Sequence, residues 1–378
     1  MMETKAKVND LPAKVLVNFC RIILGAVFMF SGIVKAIDPV GTQIKLSDYL
    51  YAFEMGGSVL DSTLLIVACI LAGFEILIGA YLVIGAFCKG TSLIVLVLMF
   101  LLTGFTLFLA ITNPVEDCGC FGDAIVLTNW QTFYKNVFLF LLSIYVFWRR
   151  SSIIPFVSAK RQWLVFLILI IVILKFISSN IRELPVLDFR PYKVGTDLCS
   201  GVLEDKNPEL SDFCIFDQDM NDVTSDILSY QGYTFLVVAP HLESAIENNL
   251  DLLDDMYDYC QHYGYRIIGL TSSGTQVIRK WSEETGTQYE FLHCDDVPLQ
   301  TMVRSNPGLV LLKDGIIINK WSHANIPSDE ELTASLDNIW VGSLPSKSPM
   351  RTPWAVALVF LVPLLLIVLI DKFRGMIQ

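Results

Sequence analysis

Two cysteines one residue apart, Cys118 and Cys120 in Asp117-Cys118-Gly119-Cys120-Phe121-Gly122-Asp123, are the residues of this chain best placed to do chemistry. Thiols spaced by a single glycine make either a redox pair or two ligands for a soft metal. A Cys-x-Cys disulfide closes a small, strained ring, so it is readily reduced; that suits a donor of disulfides or a sensor and suits a structural staple badly. The thiolate is the reacting form, and a nearby cation favours it. Asp117 and Asp123 flank the pair and are expected to raise its pKa values, leaving Lys35 as the one evident cation for the same membrane face. Zinc or an iron–sulfur cluster needs about four ligands, yet no histidine precedes His241. Two thiolates alone suit Cu(I), so a metal reading stays open beside the redox one.

Glu75 is the third candidate. It falls midway along an apolar run, where a carboxylate is costly and normally faces a bundle interior. It reads either as a functional carboxylate or as a protonated one hydrogen-bonded between helices. Cys69, in the same run, reads as a small core residue or as a resolving thiol.

The elements that position these residues are membrane spans. The 378 residues are 53% hydrophobic and their mean hydropathy is +0.55, too apolar for a soluble protein. Six spans are expected, over Val15–Val34, Ser62–Phe87, Ser92–Ile111, Phe133–Trp148, Trp163–Ile177 and Trp354–Ile370. Gly25, Ser31 and Gly32 in the first, with Gly73 and Gly79 in the second, give small-residue faces for close helix contact. Lys35 is expected to extend to the outer headgroups, and the loop from Ala36 to Asp61 to hold a short interfacial helix. Thr128-Asn129-Trp130 is expected to cap the fourth span.

Lys and Arg set the orientation. Lys5, Lys7 and Lys14, then Lys89, then Arg149 to Arg161, then Lys372 and Arg374 occupy alternate connections. Both termini are expected in the cytoplasm of a cell (inner) membrane, with the cysteine loop and residues 183–345 outside. The first apolar run has no small-residue cleavage site and is expected to act as an uncleaved anchor.

Arg21, Gly25, Ser31-Gly32 and Lys35, a Glu in the second span, and Cys118-Gly119-Cys120-Phe121-Gly122 before the fourth resemble the DoxX-like membrane family, most closely its MauE (methylamine utilisation) branch. The resemblance covers about Val15 to Trp148. It implies a four-helix membrane domain and a part in forming disulfides in an exported, thiol-containing partner. A quinone as electron acceptor follows by analogy only.

From Glu183 the composition becomes that of a folded soluble domain. Strands are expected at Cys214–Asp217, Tyr233–Ala239, Arg266–Leu270 and Tyr289–His293, and helices at Leu242–Tyr263, Thr275–Glu284 and Pro298–Arg304. A hairpin of Leu309–Leu312 and Ile316–Trp321 turns at Lys313-Asp314-Gly315, and Ser328 is expected to start a final helix. This order resembles the thioredoxin-like fold, with Asn306-Pro307-Gly308 at its cis-proline position. Where that fold carries its cysteines, this chain has His241-Leu242-Glu243-Ser244-Ala245. Its 27 acidic residues against nine basic exclude nucleic acid as a partner. Cys199/Cys214 and Cys260/Cys294 are candidate pairs, although four cysteines allow three connectivities.

The expected architecture is therefore a helical membrane bundle with an extracytoplasmic α/β thioredoxin-like domain. Its parts are a four-helix DoxX/MauE-like domain over 1–150, a fifth span with its flanks over 151–182, the α/β domain over 183–345, and a last span and tail over 346–378. Two functions compete: a thiol–disulfide oxidoreductase or relay working through Cys118, Cys120 and Glu75, and a non-enzymatic docking protein with a redox-inactive domain.

Overall fold

In the first segment the chain builds long helices because its apolar runs are unbroken by Gly-Pro punctuation. They are α1 (Leu11–Ile37), α2 (Pro39–Ala52), α3 (Asp61–Ile84), α4 (Cys88–Thr112), α5 (Asn129–Trp148) and α6 (Gln162–Arg182). The computed structural model describes residues 11–56, 59–115, 117–345 and 352–377. It divides into two units, Met1–Ile181 with Thr352–Gln378, and Arg182–Arg351. Among the described residues five helices are long and apolar enough to cross a bilayer: α1, α3, α4, α6 and the last helix, which runs Pro353–Ile377. The fourth expected span, α5, is 20 residues long, but Gln131, Lys135 and Asn136 interrupt its apolar character.

Helices α1 and α3 form the tightest pair in the bundle. A Cβ added to Gly32 would meet the Ala72 carbonyl oxygen and the Ile76 nitrogen, each at 2.7 Å, so only glycine lets the backbones come this close. At the other end of the pair Arg21 is fully buried. Its guanidinium donates to the Leu82, Val83 and Ile154 carbonyls, closing the C-terminal end of α3. Helix α2, the expected interfacial helix, starts after Asp38, whose side chain accepts from the Gly41 amide, with Pro39 in the first turn. Helix α5 starts with a reciprocal cap, Thr128 Oγ accepting from the Gln131 amide and Gln131 Oε1 from the Thr128 amide.

The second unit is built on a six-stranded sheet: β1 (Ile215–Phe216), β2 (Tyr233–Val238), β3 (Arg266–Thr271), β4 (Phe291–Cys294), β5 (Gly308–Lys313) and β6 (Ile316–Ser322), in the order β1-β4-β3-β2-β5-β6. Strands β2, β3 and β4 are parallel, whereas β5, β6 and β1 join antiparallel. All six residues of β2 are buried. Phe235 and Val237 enter one core and Leu236 and Val238 the other, as the period of two requires. The β5–β6 hairpin turns through Asp314 (φ +52°) and Gly315 (φ +79°), the left-handed pair that a two-residue turn needs.

Two expectations for this unit fail locally. The helix expected from Leu242 begins only at Leu250, because Asn249 takes a left-handed φ of +67° and the preceding residues form loops and one short turn. The helix expected from Ser328 does not form. Glu331 turns back on Ser328, after which Leu332, Leu336 and Val341 enter the core from separate turns. The four cysteines of this unit are free thiols. Cys260 and Cys294 pack in different cores on opposite faces of the sheet, so the sheet itself keeps them apart. Burial pushes both up to about 12, the mark of inert core thiols.

Candidate functional site

The loop between α4 and α5 carries the cysteine pair on a short irregular turn, with Gly119 (φ +63°) and Gly122 (φ +49°) left-handed. Four side chains from other elements pin it. Ser31 Oγ donates to the Cys120 carbonyl at 2.7 Å and Lys35 Nζ to the same oxygen at 3.0 Å. Tyr49 donates its hydroxyl to the Cys118 carbonyl at 2.8 Å, and Lys45 pairs with Asp117 at 2.7 Å. Asn129, at the start of α5, donates to Asn113 Oδ1 and to the Val115 carbonyl, fixing the loop's entry.

Lys35 does not extend to the headgroups. Its side chain is 7% exposed and its ammonium sits between both oxygens of Glu75, at 2.7 and 2.9 Å, while also donating to Ser31. The reason is packing. The glycine contacts that bring α1 onto α3 put Lys35 and Glu75 side by side, and a buried carboxylate needs a charged partner more than a buried lysine needs water. Glu75 is thus ion-paired in the bundle interior.

The two thiols titrate apart. Cys118 shares a hydrogen bond with Cys120 and is raised by it and by burial. The same hydrogen bond, aided by Lys135 and Lys35 against burial, pulls Cys120 down to about 7. The expectation that Asp117 and Asp123 would raise the whole pair therefore fails for Cys120, Asp117 being held by Lys45. Sequence reasoning overlooked Lys45, Tyr49 and Lys135. Lys135 had a readable signal, because it is the one charged residue inside the expected span Phe133–Trp148. Lys45 and Tyr49 had only their helical spacing on α2.

Cys118, Cys120 and Glu75 come together on one cavity of about 420 Å³, within the range of small-molecule sites. Helix α2 covers it with the stripe Thr42, Leu46, Tyr49 and Phe53. Leu64, Val67 and Leu71 of α3 face Leu102 and Phe105 of α4 across it, and Lys35 and Lys135 complete its polar wall. Cys69 is half-buried and is not part of that wall. Among the described residues no three His, Cys, Asp or Glu side chains gather as a metal site would require.

The loop after β2 is of another kind. His241 Nε2 lies 3.1 Å from Asp296 and its Nδ1 3.4 Å from Ser272 Oγ. Glu243 accepts from Ser273 at 2.8 Å, and Asn306, which precedes a cis bond to Pro307, donates to the His241 carbonyl at 2.7 Å. These are polar contacts with no thiol among them.

Long apolar helices around a pinned cysteine loop define a multi-pass helical membrane protein, joined to an α/β unit. The model of the family described as Methylamine utilisation protein MauE matches residues 13–149, which places this part of the chain in the MauE-type membrane family. No curated protein and no solved structure matches the chain.

Proposed function

We propose that the chain is a membrane thiol–disulfide oxidoreductase working through Cys118 and Cys120. The observation that carries the reading is the pinned loop, which holds two thiols of opposite titration on the wall of a cavity beside an ion pair. In the oxidised form a client thiolate attacks Cys118 Sγ, and Cys120, the better-stabilised thiolate, leaves. A second client thiolate then attacks the client sulfur of that mixed disulfide and expels Cys118. The client is oxidised, the loop becomes a dithiol, and two electrons and two protons remain to be passed to a lipid-soluble acceptor. The lysine and arginine distribution supports placing the loop and residues 183–345 outside the cytoplasm, where an exported client would meet them. The order of parallel and antiparallel strands supports a thioredoxin-like reading of the α/β unit.

The test is oxidation of a synthetic peptide carrying two cysteines by the full chain in proteoliposomes. Wild type oxidises it, whereas Cys118→Ser combined with Cys120→Ser, present at equal level, leaves it reduced. Equal oxidation by both would remove the reading. What would remain is the docking protein, favoured by the absence of cysteines in the loop after β2.

A further inference from the structure

The three ammonium groups on the wall of the cavity are not equally provided for. Lys35 is paired with Glu75 and Lys45 with Asp117, each at 2.7 Å. Lys135, half-buried on α5, rests over the Phe121 ring, and among the described residues it takes part in no ion pair or hydrogen bond. A charge left so beside apolar walls is costly. Those walls are aliphatic and aromatic, with Leu46 and Phe53 of α2 over Leu71 of α3 and Phe105 of α4. Val67, Leu102 and Phe105 line the cavity and are 45%, 37% and 38% exposed, so it opens between α3 and α4 toward the bilayer.

Water alone would satisfy Lys135 and wet those walls. A neutral apolar molecule would fill the walls and leave the ammonium buried without a partner. One acidic group carried on an apolar chain meets both demands. We infer that the cavity binds an acyl lipid whose carboxylate or phosphate pairs with Lys135 while its chain runs out between α3 and α4 under α2. The binding rests on the cavity, and its consequence rests on the thiol–disulfide reading. Lys135 favours the Cys120 thiolate. An anion beside Lys135 cancels that charge, so a bound acidic lipid holds Cys120 in its less reactive thiol form and slows exchange.

The probes are photoreactive oleic acid and photoreactive phosphatidylglycerol, each against its neutral counterpart, methyl oleate and phosphatidylcholine, on the full chain in phosphatidylcholine nanodiscs. At least one acidic probe is expected to label α2 and the Leu102–Phe105 turn of α4. It should do so about tenfold over its counterpart, the worth of one charge-assisted hydrogen bond, and whichever labels names the source. Lys135→Met should erase the preference and Lys135→Arg keep it. In a Cys118→Ser background the unmodified form of that lipid should slow the reaction of Cys120 with a maleimide at pH 7 about twofold, as a half-unit rise from about 7 implies. The slowing should vanish in Lys135→Met, where a general effect of surface charge would persist. Equal labelling by acidic and neutral probes, or label elsewhere, overturns the site. Acid-selective label with an unchanged maleimide rate overturns the coupling to the thiols. Neither readout uses a client, so failure of wild type to oxidise the two-cysteine peptide would remove the thiol–disulfide reading and leave the lipid site standing.

Discussion

Among the described residues two lysines are buried against carboxylates, Lys320 and Lys35, and Lys35 is the one that faces a cavity. Lys320 of β6 is 6% exposed and donates to Asp188, to the Tyr192 carbonyl at 2.8 Å and to the Met302 carbonyl at 2.9 Å. Lys35 of α1 is as deeply buried and as fully bonded. What differs is the neighbour. Lys320 opposes Val310 inside a packed sheet, while Lys35 lines a cavity of about 420 Å³ with two thiols on its wall. A buried ion pair is therefore no mark of function by itself. Reactive groups and open volume beside it are.

If Lys320 is purely structural, removing it should be the most damaging change to stability. Lys320→Met leaves two backbone carbonyls without their donor and Asp188 with Arg190 alone, at a cost of about 3–5 kcal/mol. Asp188→Asn added to it, which removes the charge but keeps an acceptor for Arg190, should recover part of that. Urea unfolding of the full chain in detergent, followed by fluorescence of Trp281 and Trp321, reads both, and an unchanged midpoint in the single variant would dissolve the contrast. The pH dependence has a definite sign. Burial would raise Asp188, but Lys320 and Arg190 outweigh it and hold the carboxyl below its ordinary value. Its contribution is thus present above about pH 4, the unfolded carboxylate range, and is lost as the pH falls further. The double variant should lack that acid-sensitive component.

The bundle's pair depends on backbone proximity, so a glycine change should reach it indirectly. In Gly32→Ala the new methyl collides with the Ala72 oxygen and the Ile76 nitrogen on either side of Glu75. Overpacking of this kind costs about 1–3 kcal/mol, and it should also move Glu75 off Lys35. A lower melting temperature together with slower peptide oxidation is the expected result. Lower stability with full activity would mean that the pair does not serve the thiols.

How far the sequence led follows from range. The cysteine loop, five of the six expected spans, the α5 cap and the Asp314-Gly315 hairpin are written in local residues, and these are where local chemistry puts them. Glu75 was legible as a buried charge, but its partner stands 40 residues away, and nothing in either span announces the pairing. The loop from Ala36 to Asp61 read only as holding an interfacial helix, because a cavity beneath a helix leaves no periodic signal of its own. In the α/β unit the helix expected from Leu242 was an extrapolation of one apolar stripe past Asn249, whose backbone conformation only tertiary contacts select.

Removing the bundle's lysine should touch chemistry more than stability. In Lys35→Met the Glu75 carboxyl can protonate or take water from the cavity, an escape that the sealed site around Lys320 does not offer. Reaction of Cys120 with a maleimide at pH 7, read in a Cys118→Ser background, should slow about fivefold, as a one-unit rise from a pKa of about 7 implies. Melting should change little. A large fall in stability would make the two lysines alike after all.

Lys135 gives the smallest effect and the sharpest one. It reaches over the Phe121 ring, 4.2 Å from its centre, and it favours the Cys120 thiolate without bonding to Glu75 or to the loop backbone. With Cys120 pulled down to about 7, maleimide reactivity in the wild type should rise with pH and level off above neutrality, because only the thiolate reacts. Lys135→Met should carry that plateau to higher pH while leaving its height and the melting temperature unchanged. Such a displacement would separate charge from scaffolding at this site. A profile identical to wild type would mean that Lys135 only packs on Phe121, and that the cavity's polar end rests on Lys35 and Glu75 alone.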